Sequence, residues 1–171
     1  MSAAGLKREL RDGILVLTLA QPPANDLTPA LRAALVQELT ASDAKGIVLA
    51  AEGPNFSTHL PLEPDEMAPN LAELCRAVAH SKAPVVVVAR GLVTGPAAEV
   101  ALAARARLAE PGLRIAFPDV TLGLCPAGGS THRLPGLIGA KAALRILLAG
   151  RPVPASEALA LGLIDGIAET A

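Results

Sequence analysis

Apolar positions recur in two rhythms along this chain. GILVLTLAQPPAN (Gly13–Asn25) runs aliphatic until Pro22 and Pro23, which predicts a strand stopped by the prolines. In LTPALRAALVQELTAS the period becomes helical: Leu31, Leu35 and Leu39 share a face, behind Thr28 as N-cap and Pro29 at the first helical position. KGIVLAAEG (Lys45–Gly53) reads as a short buried strand. Strand, helix and strand in that order predict a right-handed βαβ unit and parallel pairing.

The pattern continues past a Pro-rich polar stretch, PNFSTHLPLEPDEMAP, which reads as a loop. NLAELCRAVAHS resumes the helical period through Leu71, Leu74 and Val78 and leads into APVVVVA, the most β-branched run of the chain and a buried strand. TGPAAEVALAARA opens a helix with Gly95 and Pro96, and RLAEPGLRIAFP holds one or two short strands. GAKAALRILLAGRPVPASEALALGLIDGIA gives two helical stretches stopped by Gly150 and Gly162. With no repeat, low-complexity segment or linker, residues 1–171 read as a single α/β domain.

Composition narrows the partners. Hydrophobic residues make up 51% of the chain, enough for a real core, yet there are two Phe and no Tyr or Trp. Such a core must be packed by Ala, Leu and Val with backbones close together. Absent stacking aromatics and a net charge of −1 argue against nucleic acid as a partner. MSAAGLKREL places charges where a signal peptide needs an apolar core, and no apolar run reaches bilayer thickness, so no membrane partner is expected. Cys75 and Cys125 lie far apart without metal-like spacing, which predicts free thiols, no metal site and a cytoplasmic location.

Two acids carry the candidate chemistry. Glu99 stands alone in the apolar helix TGPAAEVALAA. It is either a solvated first-turn acid complementing the helix dipole or a buried carboxyl prepared for proton transfer, and the pattern leaves both open. Asp119, in FPDVTLG, is either a turn aspartate or a second acid converging on the same pocket. GGSTH offers Ser130 and His132, but without GK[ST] it is no phosphate loop, and residues two apart on a helix point different ways. His59 reads as a loop histidine and Lys82 as an edge charge.

Taken together, KAPVVVVARG, the Gly95 turn with Glu99, and FPDVTLGLCPAGGSTHRL through GRPVPASEALALGLID resemble the crotonase superfamily, the enoyl-CoA hydratase/isomerase family, from about Gly13 to Ile167. The resemblance implies a crotonase-like spiral of ββα units and an acyl-CoA thioester as substrate, with coenzyme A entering as part of it and no other cofactor. Two backbone N–H groups would form an oxyanion hole for the thioester oxygen. One would be Leu60, in the loop holding Ser57 and His59; the other would come from the turn Gly95-Pro96-Ala97. Glu99 and Asp119 would be the two catalytic carboxylates, adding water across the 2,3 double bond. The family also implies a homo-oligomer of trimer type.

The chain departs from the pattern at the site itself. Pro96 stands where the family's second glycine donates its N–H, and proline has none. His59 and Pro61 replace a glycine and an aspartate, Asp119 replaces a glutamate, and His132 replaces a glutamine. The C-terminal helical region that the family adds beyond this point is not part of the sequence. The resemblance therefore implies either a hydratase or a catalytically impaired acyl-CoA-binding or assembly member of the same fold.

Overall fold

Alternating burial defines the first strands. In the computed structural model, which describes residues 5–58 and 69–168, Ile14–Leu19 forms strand β2, with Leu15, Leu17 and Leu19 fully buried. It pairs antiparallel with β1, Leu6–Arg11, whose residues beyond Leu6 are exposed. Sequence patterning misses β1 because it is an edge strand with one apolar anchor and a charged outer row, a form that discourages edge pairing.

The expected crossover follows. Helix α1, Pro29–Ala41, begins where the Thr28 hydroxyl accepts the Leu31 N–H at 3.2 Å, and it buries Leu31, Leu35 and Leu39. It delivers the chain to β3, Gly46–Ala51, which lies parallel to β2. Helix α2, Leu71–Ala79, starts in a reciprocal cap: Asn70 Oδ1 accepts the Glu73 N–H at 2.9 Å, and Glu73 Oε2 accepts the Asn70 N–H at 2.7 Å. Strand β4, Val85–Ala89, then joins β3 in parallel.

Beyond β4 the chain divides between two sheets. Strand β5, Leu92–Thr94, leads into helix α3, Pro96–Ala103, and α3 into strand β6, Ala106–Ala109. Strand β7, Arg114–Ala116, precedes a 3₁₀ turn at Asp119–Leu122. Helices α4 (Ser130–Ile138), α5 (Ala140–Ala149) and α6 (Ala155–Leu161) follow, with short strands β8 (Val153–Pro154) before α6 and β9 (Gly166–Ile167) after it. The larger sheet runs β1-β2-β3-β4-β6-β9, parallel except at β1; the smaller runs β5-β7-β8. Gly150 and Gly162 end α5 and α6 as the pattern predicts.

All eight residues of α3 are buried. A helix apolar on every side belongs in the interior, and its alanines let α2 and α4 approach closely. Both phenylalanines are fully buried, Phe56 just before Ser57 and Phe117 two residues before Asp119. They anchor the two segments that carry candidate site residues. No helix among the described residues is long and apolar enough to cross a membrane.

Candidate functional site

The site is built at the start of α3. Strand β5 lies parallel to β7 with Thr94 opposite Ala116, and the Gly95 N–H donates to the Ala116 carbonyl at 3.0 Å. Gly95 then turns with φ of 50° and ψ of −116°, a conformation open to glycine and strained for any residue with a Cβ. Pro96 is the first helical residue, a place where its missing N–H leaves no helical bond unmade. The first turn leaves the amides of Ala97 and Ala98 without an intrahelical acceptor; the Glu99 N–H closes the turn on the Gly95 carbonyl at 3.0 Å. Ala97 is itself fully buried.

Glu99 is 0% exposed, which excludes the solvated first-turn reading. A buried carboxyl needs partners, and it has them. Oε2 accepts the Gly128 N–H at 2.7 Å and Oε1 accepts the Ser130 N–H at 2.9 Å. Both amides lie at the beginning of α4, so the acid of one helix seats on the positive end of the next. Gly128 must be glycine for that approach, because a Cβ there would stand 2.8 Å from Oε2. The Gly128 carbonyl in turn accepts Arg133 Nη1 at 2.5 Å. Cys75, buried on α2 beside this cluster, has its thiol pushed up to about 12 by burial, with the Glu99 charge adding and Arg133 opposing. It is a neutral packing group at neutral pH.

Asp119 opens the 3₁₀ turn three residues beyond Ala116, so both acids leave the same rung of the smaller sheet. Among the described residues no hydrogen bond joins Asp119 to Glu99, and Asp119 Oδ2 is buried without a partner. Ser57, Thr94 and Ser130 likewise bury hydroxyl oxygens that nothing satisfies. These three are tied to the site through the backbone: the Ser57 carbonyl accepts the Thr94 N–H at 3.1 Å, and Ser130 holds Glu99. Unsatisfied buried polar atoms each cost about 1–3 kcal/mol. Three of the five such described side-chain atoms, those of Ser57, Thr94 and Ser130, belong to residues that lie in β5 or are bonded through the backbone to it or to Glu99, a concentration that a water or ligand would relieve.

The remaining candidates separate from this cluster. His59 and Leu60 lie outside the described residues. His132 is exposed while Ser130 is buried, so they form no Ser/His pair. Lys82 is an exposed edge charge 3.7 Å from Asp43. No group of three or more metal-ligating side chains gathers among the described residues. Sequence reasoning assigned no role to Gly128 or Thr94. Only the paired glycines of CPAGG and one hydroxyl in an apolar run marked them.

The sequence pattern described as Enoyl-CoA hydratase/isomerase matches residues 9–171. The chain is 37% identical to the peroxisomal bifunctional enzyme of Danio rerio over 94% of its own length and 23% of that protein's. It is 35% identical to the cyclohexa-1,5-dienecarbonyl-CoA hydratase of Thauera aromatica, over 93% of this chain and 66% of that one. Among solved structures, Pseudomonas aeruginosa DspI superposes with a TM-score of 0.89 at 28% identity, covering 96% of this chain and 68% of that one. An enoyl-CoA hydratase from Mycobacterium avium subsp. paratuberculosis K-10 gives 0.88 at 28% identity with the same coverage, 96% and 68%. The chain thus spans under a quarter of the bifunctional relative and about two thirds of the others.

Proposed function

Since the chain belongs to the enoyl-CoA hydratase/isomerase family, we propose that it adds water across the 2,3 double bond of an enoyl-CoA thioester. The observation that carries this reading is Glu99, fully buried one turn into α3 with both oxygens oriented by the amides of α4. Glu99 takes a proton from water as the water oxygen bonds to C3. The π electrons move toward the thioester, whose oxygen gains negative charge, and a proton added at C2 completes the balance. Asp119 assists, its free Oδ2 supporting that role. No electrons are gained or lost, so the reaction needs no redox group, and coenzyme A arrives with the substrate.

The developing oxyanion requires donors. In this proposal one is the Leu60 N–H. The other is the Ala97 N–H, because Pro96 has none to give and Ala97 follows it in the open first turn. Free thiols at Cys75 and Cys125 support a reducing, cytoplasmic setting. Leu144 and Leu148, each 59% exposed on α5, support association with further copies.

A second reading has its own support. Pro96 removes a donor, and both Glu99 oxygens are already engaged by amides, as expected of an acyl-CoA-binding or assembly member without turnover. Hydration of a short trans-2-enoyl-CoA by wild type and Glu99→Gln, with thioester binding followed by calorimetry, separates the two. Turnover lost in Glu99→Gln supports the hydratase. Thioester binding with no turnover in wild type overturns it in favour of the second reading, and no binding by either form overturns both.

A further inference from the structure

At the opposite end of α3 from Gly95, the ends of α2 and α3, the start of β4 and one side of α4 line an open cleft of about 570 Å³. That is the size of a small-molecule site. Its floor is aliphatic, with Val78, Val85 and Leu102 buried. Among the described residues its walls hold three arginines, Arg105, Arg107 and Arg133, and no acidic residue. Arg107 alone of the three meets a carboxylate among the described residues, Asp165 Oδ2 at 2.7 Å. Arg105 is exposed, and Arg133 gives Nη1 to the Gly128 carbonyl.

Arg107 supplies the second observation. It is 5% exposed, and its Nε is buried with no hydrogen-bond partner. The group has been taken out of water and left one acceptor short, which the general satisfaction of buried polar atoms makes exceptional. The negative end of α3 faces this cavity and by itself would repel an anion. Arg107 Nη1 counters it, donating to the Ala104 carbonyl at 3.0 Å. With Arg107 charge-paired by Asp165, the guanidinium groups of Arg105 and Arg133 give the wall its net positive charge over an aliphatic floor.

We propose that this cavity binds a small aliphatic carboxylate, its head on the arginines and its tail on the Val78–Leu102 floor. Guanidinium groups match a carboxylate's two oxygens. A bare inorganic anion would use the same charges but leave the floor uncovered, so the tail distinguishes the ligand class.

The test is calorimetric titration of the purified chain with hexanoate and, separately, inorganic phosphate. Hexanoate binds with a Kd of about 1 mM, and phosphate at least about tenfold more weakly. Gly136→Phe blocks the site: Gly136 lines the cavity, and a Cβ there meets nothing within 4 Å, so the added ring enters open space. Arg105→Gln, an exposed change that leaves the fold untouched, weakens hexanoate by about tenfold. Leu10→Ser, an exposed change on β1 away from the cleft, leaves hexanoate binding intact. Hexanoate binding that survives both cavity variants, or that vanishes in Leu10→Ser, overturns the proposal. So does phosphate binding as tightly as hexanoate, or hexanoate failing to bind at all.

Discussion

Replacing Gly128 with alanine puts a Cβ 2.8 Å from Glu99 Oε2, 2.9 Å from Glu99 Cβ and 3.0 Å from Cys75 Sγ. A rotamer change cannot relieve all three, because Glu99 Cβ is fixed to a helix buried along its whole length and Cys75 is fully buried on α2. The start of α4 must move away from α3. Overpacking of this kind costs about 1–3 kcal/mol. The same movement stretches the bonds from Gly128 and Ser130 to the carboxylate, now 2.7 and 2.9 Å. Hydrogen bonds to charged groups contribute about 1.5–3 kcal/mol each, and these are weakened rather than lost. The expected total is a loss of about 2–4 kcal/mol, read as a lower urea midpoint at unchanged m-value.

Double-mutant cycles localise the cause. In a Cys75→Ala background the sulfur contact is gone, and in Glu99→Ala the Oε2 contact is gone. In each, Gly128→Ala should cost about 1 kcal/mol less than in wild type. A wild-type loss below about 0.5 kcal/mol, or full additivity in both cycles, would refute the close seating of Glu99 on Gly128.

Pro96→Gly restores an N–H at the start of α3. If turnover is limited by a missing oxyanion donor, hydration should rise by about 100- to 1000-fold; an unchanged rate would show that another amide, Ala97 in our proposal, already serves. Phe117→Ala empties the anchor before the Pro118–Asp119 turn and should cost about 3–5 kcal/mol in urea unfolding, with a stable variant contradicting its packing role. The Cys75 thiol keeps its proton to about 12 when folded but releases it near 9 when unfolded. Above the lower value the folded state therefore binds the extra proton, and stability falls as pH rises, by up to about 1.4 kcal/mol per unit. Cys75→Ala should flatten that alkaline decline, and parallel pH–stability curves for the two proteins would contradict the burial of the thiol.

Elements with strong local signals were legible in the sequence. Thr28 and Pro29 begin α1, the valine run forms β4, and Gly150 and Gly162 stop their helices. Helix α4 was not, because two glycines precede it without a side-chain cap and Pro135 sits inside the helix. Strand β5 was hidden by its three-residue length. For Glu99 the uniform apolarity of its helix raised the possibility of burial but could not decide it. The deciding contacts come from amides 29 and 31 residues away, a separation that no periodicity encodes.

The same composition that removes Tyr and Trp from the chain makes this seating possible. Backbone amides of α4 reach a carboxylate on α3 only if the two helices nearly touch, and the missing side chain at Gly128 allows it. Bulk is confined to Phe56 and Phe117, which pin the neighbouring segments from behind. Pro96 fits this economy structurally, since it stiffens the start of α3 at a position where no helical bond is lost. Chemically it works the other way, withdrawing the amide nearest the turn. The same residue thus favours a rigid helix start while offering no N–H, and in the hydration proposed above the donor's part would fall to the next amide, that of Ala97, which follows it in the first turn.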